Sequence, residues 1–132
     1  MADAKSFYVS VVTPEKAVFE GDARFVAVPA HDGELGFMRN RAAILAKLDV
    51  GRLRIDTEAG EETFFVDGGF VEMIDNQLTI LTEDARRAEE LDREGAEVLL
   101  AEARAMKDRG EGTTAQRERT FKRARTQLRM LR

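Results

Sequence analysis

The sequence has no cysteine and no tryptophan, and it has only one histidine and two prolines among its 132 residues. Without cysteine, the chain can form no disulfide, no thiolate metal site and no cysteine nucleophile. With His31 as the single histidine, a zinc site that uses two histidine ligands is impossible. Apolar runs of eighteen or more residues are also missing, so no bilayer-spanning helix is predicted.

Motifs for common enzyme chemistries are missing as well. Neither GxxxxGK[ST] nor GxGxxG occurs, so no standard phosphate-binding loop is predicted. A small hydrolase could be imagined around His31, Asp32 and Glu34 in PAHDGELG, but no nucleophile or metal set accompanies them. Acids beside a turn are typically solvated turn formers. The pair Gly68 and Gly69 indicates a bulge or a close strand approach. No catalytic, metal-binding or cofactor-binding residue is therefore predicted.

Residues 1–84 have the pattern of an antiparallel β-sandwich. Short runs of β-branched and aromatic residues alternate with polar ones, and turn residues separate them at Gly21-Asp22, Ala59-Gly60 and Asp75-Asn76. The alternation predicts that the following side chains point into the core: Phe7, Val9, Val11, Leu53, Ile55, Leu78 and Ile80.

Residues 85–132 have the three-to-four-residue period of amphipathic helices. The pattern predicts a first helix that begins near Glu83 and ends near Arg109, and a second helix that opens at Thr113. Because the connecting loop is short, the two helices should pack as an antiparallel hairpin. Their apolar stripes are narrow and rich in alanine, which favours a weakly held, mobile module. The predicted stripe residues are Ala88, Leu91, Gly95, Val98, Leu99 and Met106, then Phe121, Ala124, Leu128 and Leu131.

The second helix is strongly basic, although the whole chain has a formal net charge of -4. Residues 113–132 contain seven basic residues and one acid, Glu118. Such a face can simply be solvated, or it can bind nucleic acid, a membrane surface or an acidic protein. A stand-alone nucleic-acid-binding module remains an alternative, but no aromatic stacking platform is evident. The apolar side is thin for membrane binding. An acidic protein surface fits best, because it needs only arginine forks on an accessible helix.

Several segments in order resemble the epsilon subunit family of F-type ATP synthases, called delta in mitochondria. The most specific are TPEK with FEG, then GELG, then GGFVE followed by LTILTEDA before a helix. The resemblance runs from about Phe7 to Leu131. It implies a β-sandwich of about ten strands (residues 1–84) followed by a helical hairpin (residues 85–132), which agrees with the patterns above.

The resemblance also implies a function without catalysis. Members of the family bind the foot of the gamma shaft and the ring of c subunits, turn with this rotor and help to couple proton flow to ATP synthesis. In bacterial members the hairpin can open, and its basic second helix then meets acidic beta subunits of the alpha/beta head and blocks ATP hydrolysis. Since no signal peptide or transit peptide is evident, we expect a peripheral position on the cytoplasmic face of a bacterial inner membrane, reached only through the complex, and no nucleic-acid partner.

Site residues follow from the same resemblance. Glu34 in GELG matches the acid of the loop that touches the c-ring. On the second helix, the residues expected to contact the beta subunits are Arg119, Lys122, Arg123 and Arg125.

Some bacterial members also bind ATP through [IL]-D-x-x-R-A on the first helix. Here Leu91, Asp92 and Ala96 match this motif, but Gly95 stands in place of the arginine. We therefore expect no tight ATP site, because a phosphate-facing charge is missing.

Overall fold

The structure is a computed structural model that describes residues 4–106 and 111–131, with the backbone alone at 111–113. The chain divides into two compact units, Met1–Arg87 and Ala88–Arg132. The described part of the first unit contains the strands β1 (Phe7–Val12), β2 (Ala17–Ala23), β3 (Phe25–Ala30), β4 (Gly33–Phe37), β5 (Ile44–Thr57), β6 (Gly60–Ile74), β7 (Gln77–Leu81) and β8 (Ala85–Arg87). The second unit contains a short 3₁₀ turn (Ala88–Glu90) and the helices α1 (Arg93–Ala105) and α2 (Glu111–Met130).

The first unit is a sandwich in which β5 and β6 belong to both layers. Their first and second halves have different neighbours: β7 pairs with Phe70–Ile74 of β6, whereas β8 pairs with Phe64–Val66. One layer therefore contains β2, β1, β7 and halves of β6 and β5, and the other contains β8, the remaining halves, β3 and β4. Each layer has five strand segments, because β5 and β6 contribute one half to each layer. The eight described strands therefore provide the ten or so strand segments that were expected. Only the β1–β7 pair is parallel among the described pairs.

The sandwich core is apolar, and its centre consists of the inward residues of both layers. All seven residues predicted to point inward are buried, and all but Phe7, which is 2% exposed, are completely buried. These positions belong to one continuous cluster of buried side chains. Alternation of apolar and polar residues was enough to predict these core positions, because one side of each strand packs on the opposite layer and the other side faces outward.

The prediction of a turn at Gly21-Asp22 is wrong. Both residues lie within β2, where Gly21 is the partner of Val9 and Asp22 is the partner of Tyr8 in β1. Glycine and aspartate are common in turns, but the pairing with β1 continues through them, and the strand ends after Ala23. Tertiary pairing overrides the local turn preference at this edge strand.

The pair Gly68-Gly69 marks a close approach of two backbones, as predicted. Both glycines have positive φ angles, 71° at Gly68 and 111° at Gly69. A Cβ atom at Gly69 would lie 1.8 Å from the carbonyl oxygen of Leu81. The pair lies where β6 passes from one layer to the other, between its pairing with β8 and its pairing with β7. Only glycine fits this crossing without a shift of the backbone.

The first unit extends three residues beyond the predicted boundary at residue 84. Ala85–Arg87 form β8, which pairs with Phe64–Val66, and Arg87 forms an ion pair with Glu62. The helical pattern that starts at Glu83 misplaces the first helix, which begins at Arg93 after the 3₁₀ turn. The Asp92 carboxylate accepts a hydrogen bond from the backbone N–H of Gly95 and caps this helix.

The second unit is an antiparallel hairpin. The Arg117 Nε, near the start of α2, donates to the Ala103 carbonyl oxygen near the end of α1, at 3.2 Å. Small residues are buried in both helices, Ala96 and Ala103 in α1 and Ala124 in α2. Two predicted stripe residues of α1, Gly95 and Val98, are instead exposed, so its buried side is rotated from the predicted one.

The second helix begins earlier than predicted. Its backbone is helical from Glu111, two residues before Thr113, so the predicted opening at Thr113 is wrong. The predicted end of the first helix near Arg109, and the glycine at position 110, lie outside the described residues. The described part of α1 ends at Ala105.

Candidate functional site

The first layer of the sandwich presents exposed apolar side chains on its outer side. On the inner side of the same strands, Val71, Met73, Leu78 and Ile80 are completely buried. The outer side chains, which we call the apolar face, have exposed fractions of 67% for Leu45, 52% for Phe70, 51% for Leu81, 45% for Ile74 and 42% for Tyr8.

The register of the strands makes these side chains one surface. Tyr8 in β1 and Ile74 in β6 are both partners of Gln77 in β7, which lies between them. Leu81 at the end of β7 is the partner of Phe70. Because directly opposed residues point to the same side of a sheet, these strands build one outward face. A contiguous exposed apolar surface of this kind marks a protein-interaction site.

The apolar face contains one carboxylate within it and others at its margin. Glu72 is the partner of Leu45 in β5 and of Thr79 in β7. At the margin, Glu20 and Asp22 of β2 are exposed and lie opposite Ser10 and Tyr8 of β1. Lys47 provides the cation on the β5 side. The surface therefore combines an apolar centre with a surplus of negative charge.

Glu34, the residue predicted to touch the c-ring, is exposed at the tip of the β3–β4 hairpin. It is the second residue of β4 and the partner of Pro29 in β3. Gly33, with a φ of 122°, provides the turn before it. No ion pair of Glu34 occurs within residues 4–106 and 111–131. The carboxylate is thus presented to solvent near the turn of a β-hairpin.

The four predicted beta-contact residues lie on one broad side of α2. At about 100° of rotation per residue, Arg119, Lys122, Arg123 and Arg125 lie within an arc of about 160°. Ala124, which is completely buried, lies at the opposite side of the helix. Arg119, Lys122 and Arg125 are exposed, and Arg123 is half-buried. Three of the four predicted cations therefore face solvent in the packed hairpin.

Part of this basic side lines a groove of about 1000 Å³. The groove brings together Lys122 and Arg125 with two cations outside the predicted beta-contact set, Arg93 of α1 and Arg129 of α2. The guanidinium of Arg125 stacks 4.9 Å from the ring centroid of Phe121, and Arg117 stacks on the same ring at 5.2 Å. These stacks hold charged groups in place along the helix. Arg119 and Arg123 do not line the groove.

Residues that match the nucleotide motif have structural roles in the hairpin. Asp92 caps α1, Leu91 is buried, and Ala96 is completely buried. Gly95 lies in the first turn of α1 and offers no side chain to a phosphate group. A Cβ atom at this position would lie 2.8 Å from the Asp92 Oδ1. Asp92 thus serves the helix cap, and Leu91 and Ala96 serve the packing of this unit.

The three residues of the hydrolase alternative are not assembled into a catalytic set. His31, Asp32 and Glu34 are all exposed, and the backbone N–H of His31 donates to the Lys47 carbonyl oxygen. In the described part of the chain, no group of three or more histidine and acidic side chains could hold a metal ion. Among the described helices, none has the length and apolarity needed to cross a bilayer.

Comparison with known families identifies the family of the chain. A family profile described as "ATP synthase, Delta/Epsilon chain, beta-sandwich domain" matches residues 6–88. The chain belongs to the ATP synthase delta/epsilon chain family. Within this family it is an epsilon subunit of the F-type ATP synthase, a part of that membrane-associated complex, and it is not catalytic by itself.

Relatives of the epsilon chain match most of the sequence. The ATP synthase epsilon chain of Rhodopirellula baltica is 41% identical over 119 residues, which are 90% of this chain and 93% of the relative. The epsilon chain of Desulforudis audaxviator is 40% identical over 83% of this chain and 75% of its own length. The match therefore includes the hairpin as well as the sandwich.

Solved structures confirm the fold at lower identity. A chain in the mitochondrial ATP synthase of Euglena gracilis (OSCP/F1/c-ring) has a TM-score of 0.85 at 20% identity and covers all of this chain and 85% of its own. A chain in the central stalk and c-ring of the Tetrahymena thermophila mitochondrial ATP synthase has a TM-score of 0.70 at 19% identity, over 95% of this chain and 96% of its own.

Proposed function

We propose that the chain is a rotor subunit that binds gamma and the c-ring through its sandwich and restrains ATP hydrolysis through its hairpin. In this role it turns with the central stalk and helps to couple proton translocation to ATP synthesis. The observation that carries the proposal is the apolar face, a contiguous exposed surface on the domain that defines the family. The complex would hold the subunit at the cytoplasmic face of a bacterial inner membrane, and the bacterial relatives support this placement.

The apolar face suits a permanent protein partner better than solvent. Leu45, Phe70 and Leu81 are each at least half exposed on a flat sheet surface, and burial of such side chains stabilises a complex by about 25 cal/mol per Å² before association costs. Aromatic and aliphatic anchors at the centre of a patch are typical of stable interfaces. Gamma is the rotor protein that the family resemblance assigns to the sandwich, so we assign gamma to this face.

We assign a second contact, with the c-ring, to Glu34. It lies near the turn of the β3–β4 hairpin, where its carboxylate is exposed to solvent. A carboxylate in this position can accept hydrogen bonds from the polar loops of c subunits, and charge-assisted bonds of this kind are short and directional.

We expect Glu34→Cys to crosslink to a cysteine in the polar loop of subunit c in the assembled complex. The matched control is Glu58→Cys, an exposed acid at the β5–β6 turn. Crosslinked products are counted on denaturing gels after oxidation. A product at position 34 and none at position 58 is expected. Equal yields at both positions, or no product at either, would count against the assignment of Glu34.

The hairpin has features that suit an inhibitor of ATP hydrolysis that acts through its charge. The completely buried apolar side chains of its two helices are small: Ala96 and Ala103 in α1 and Ala124 in α2. Three of the four predicted cations of α2, Arg119, Lys122 and Arg125, are exposed on its basic side. If α2 extended towards the catalytic head, its basic side could pair with acidic beta subunits.

We expect replacement of Arg119, Lys122, Arg123 and Arg125 by glutamate to relieve inhibition of ATP hydrolysis. Exposed pairs contribute about 1 kcal/mol or less each, so the full reversal should weaken inhibition by roughly 10- to 1000-fold. Hydrolysis is measured with a complex depleted of this subunit, to which each variant is added back.

A double variant allows a matched control with the same change of charge. Lys122→Glu combined with Arg125→Glu is compared with Lys16→Glu combined with Arg104→Glu. The control pair alters exposed residues that do not line the groove. Only the first pair should relieve inhibition, and relief should weaken as salt screens the interaction. Unchanged inhibition by the four-residue variant would contradict the proposal that α2 acts through charge pairing with the beta subunits.

We also propose that the hairpin has no tight ATP site. Gly95 has no side chain, so the motif lacks a cation at its phosphate-facing position. Asp92, the acid of the motif, is engaged in capping α1. Calorimetric titration of the chain with ATP should give no saturable heat at micromolar concentrations, whereas Gly95→Arg should raise the affinity. A micromolar dissociation constant for the unaltered chain would overturn this expectation.

A further inference from the structure

A single carboxylate, that of Glu72, lies within the apolar face. Glu72 is on β6, two residues from Phe70 on one side and two from Ile74 on the other, and both neighbours are exposed on the same face. Across the sheet its partners are Leu45 and Thr79. Its surroundings on the surface are therefore largely apolar.

The Glu72 carboxylate has no ion pair within the described residues. The cation on this part of the face is Lys47, which is the partner of Phe70 and so lies diagonally from Glu72, without an ion pair between them. Glu20 and Asp22 at the β2 margin add to the negative charge of Glu72 and do not compensate it. The face as a whole therefore favours a basic occupant.

A partner that covered this face with apolar groups alone would desolvate Glu72 without compensation. Burial of an unpaired charge costs several kcal/mol, which is comparable to the whole contribution of one apolar anchor. A partner with a cation at this position avoids the cost and gains a charge-assisted hydrogen bond. A carboxylate among apolar anchors thus discriminates between partners, because it disfavours occupants that lack a matching cation.

We infer that Glu72 is a specificity-determining residue of the gamma-binding face and that it selects an arginine or lysine of gamma. This inference rests on the proposed function, which assigns gamma to the apolar face. The bound segment places apolar side chains on Leu45, Phe70 and Ile74 and its cation on the Glu72 carboxylate. Glu20 and Asp22 contribute long-range attraction to further basic residues, which speeds association more than it strengthens the complex.

The test measures binding of the full chain to a catalytic complex that contains gamma and lacks this subunit. The variants are Glu72→Gln, which removes the charge and keeps the shape, and Glu72→Lys, which reverses the charge. Glu58→Lys, at the exposed β5–β6 turn, is the charge control, and Leu45→Asp reports whether the face itself is used. Thermal unfolding of each variant confirms that the sandwich is intact.

Glu72→Gln should weaken binding about 10-fold and reduce its salt dependence, and Glu72→Lys should weaken it about 100-fold or more. Glu58→Lys should bind as the unaltered chain does. Substitution of each arginine and lysine at the foot of gamma by glutamate, one at a time, should include one that restores binding of Glu72→Lys. That rescue identifies the selected cation, and a merely structural role of Glu72 would not produce it.

Two outcomes overturn the inference and separate it from the proposed function. If Leu45→Asp abolishes binding but both Glu72 variants bind normally, the face is used and Glu72 selects nothing. The same conclusion follows if Glu72→Lys weakens binding while Glu72→Gln does not, since repulsion alone explains that result. If Leu45→Asp and both Glu72 variants all bind normally, gamma does not use this face, and the proposal for the face falls together with the inference.

Discussion

Substitution of Gly69 by alanine is expected to lower the free energy of unfolding of the sandwich by about 3 kcal/mol or more. Two effects combine at this position. The φ of 111° is strained for any residue with a side chain, and the new Cβ would lie 1.8 Å from the Leu81 carbonyl oxygen. A backbone atom cannot rotate away as a side chain can, so β6 and β7 must separate. The midpoint of thermal unfolding should fall by roughly 12 °C or more, at about 4 °C per kcal/mol.

Gly60→Ala separates the two effects. Gly60 has a φ of 134°, and a Cβ atom there meets nothing within 4 Å. This control keeps the strain and omits the clash, so we expect a loss of about 1 kcal/mol. The comparison is made by thermal and chemical unfolding of the full chain. If both variants lost the same stability, the close approach of β6 to Leu81 would not be the cause.

The second large effect is expected on the apolar face. Leu45→Asp combined with Phe70→Asp should weaken binding to gamma by about 1000-fold or more, because each anchor contributes about 2 kcal/mol and each new carboxylate is buried at a cost. Both residues are more than half exposed in the free subunit, so the sandwich should remain folded. The dissociation constant is measured with the gamma-containing complex that lacks this subunit.

Ala59→Asp provides the matched control for this variant. Ala59 is exposed at the β5–β6 turn, so the substitution adds a carboxylate outside the apolar face. Its binding should equal that of the unaltered chain. A double variant at Leu45 and Phe70 that stays folded and binds gamma normally would show that the partner occupies another surface.

The sequence was a good guide to the core and a poor guide to where elements begin and end. Alternation placed Phe7, Val9 and Val11 inside because each strand has one face on the core. The turn at Gly21-Asp22 and the early helix start near Glu83 were wrong because partners distant in sequence decide these positions: β1 pairs with β2, and β6 pairs with β8. Local patterns contain no information about such partners.

The functional surfaces were predictable to different degrees. The basic side of α2 is evident from composition, and α-helical geometry then places four cations on one side: Arg119, Lys122, Arg123 and Arg125. The apolar face was missed, although a signal exists: Tyr8, Phe70 and Leu81 are apolar at positions where strand alternation calls for polar residues. Assembly of those positions into one surface depends on the order β1-β7-β6-β5, which includes a parallel pair between the first and seventh strands.

The most direct test of the central claim is ATP hydrolysis by a complex depleted of this subunit, with the full chain or residues 1–87 added back and binding to gamma measured in parallel. The truncation ends after Arg87 because β8 pairs with β6 and completes the sandwich. The account predicts that both proteins bind gamma with the same affinity and that only the full chain slows hydrolysis. If residues 1–87 bound gamma and slowed hydrolysis as strongly as the full chain, or if both bound and neither slowed it, the hairpin would not be the brake.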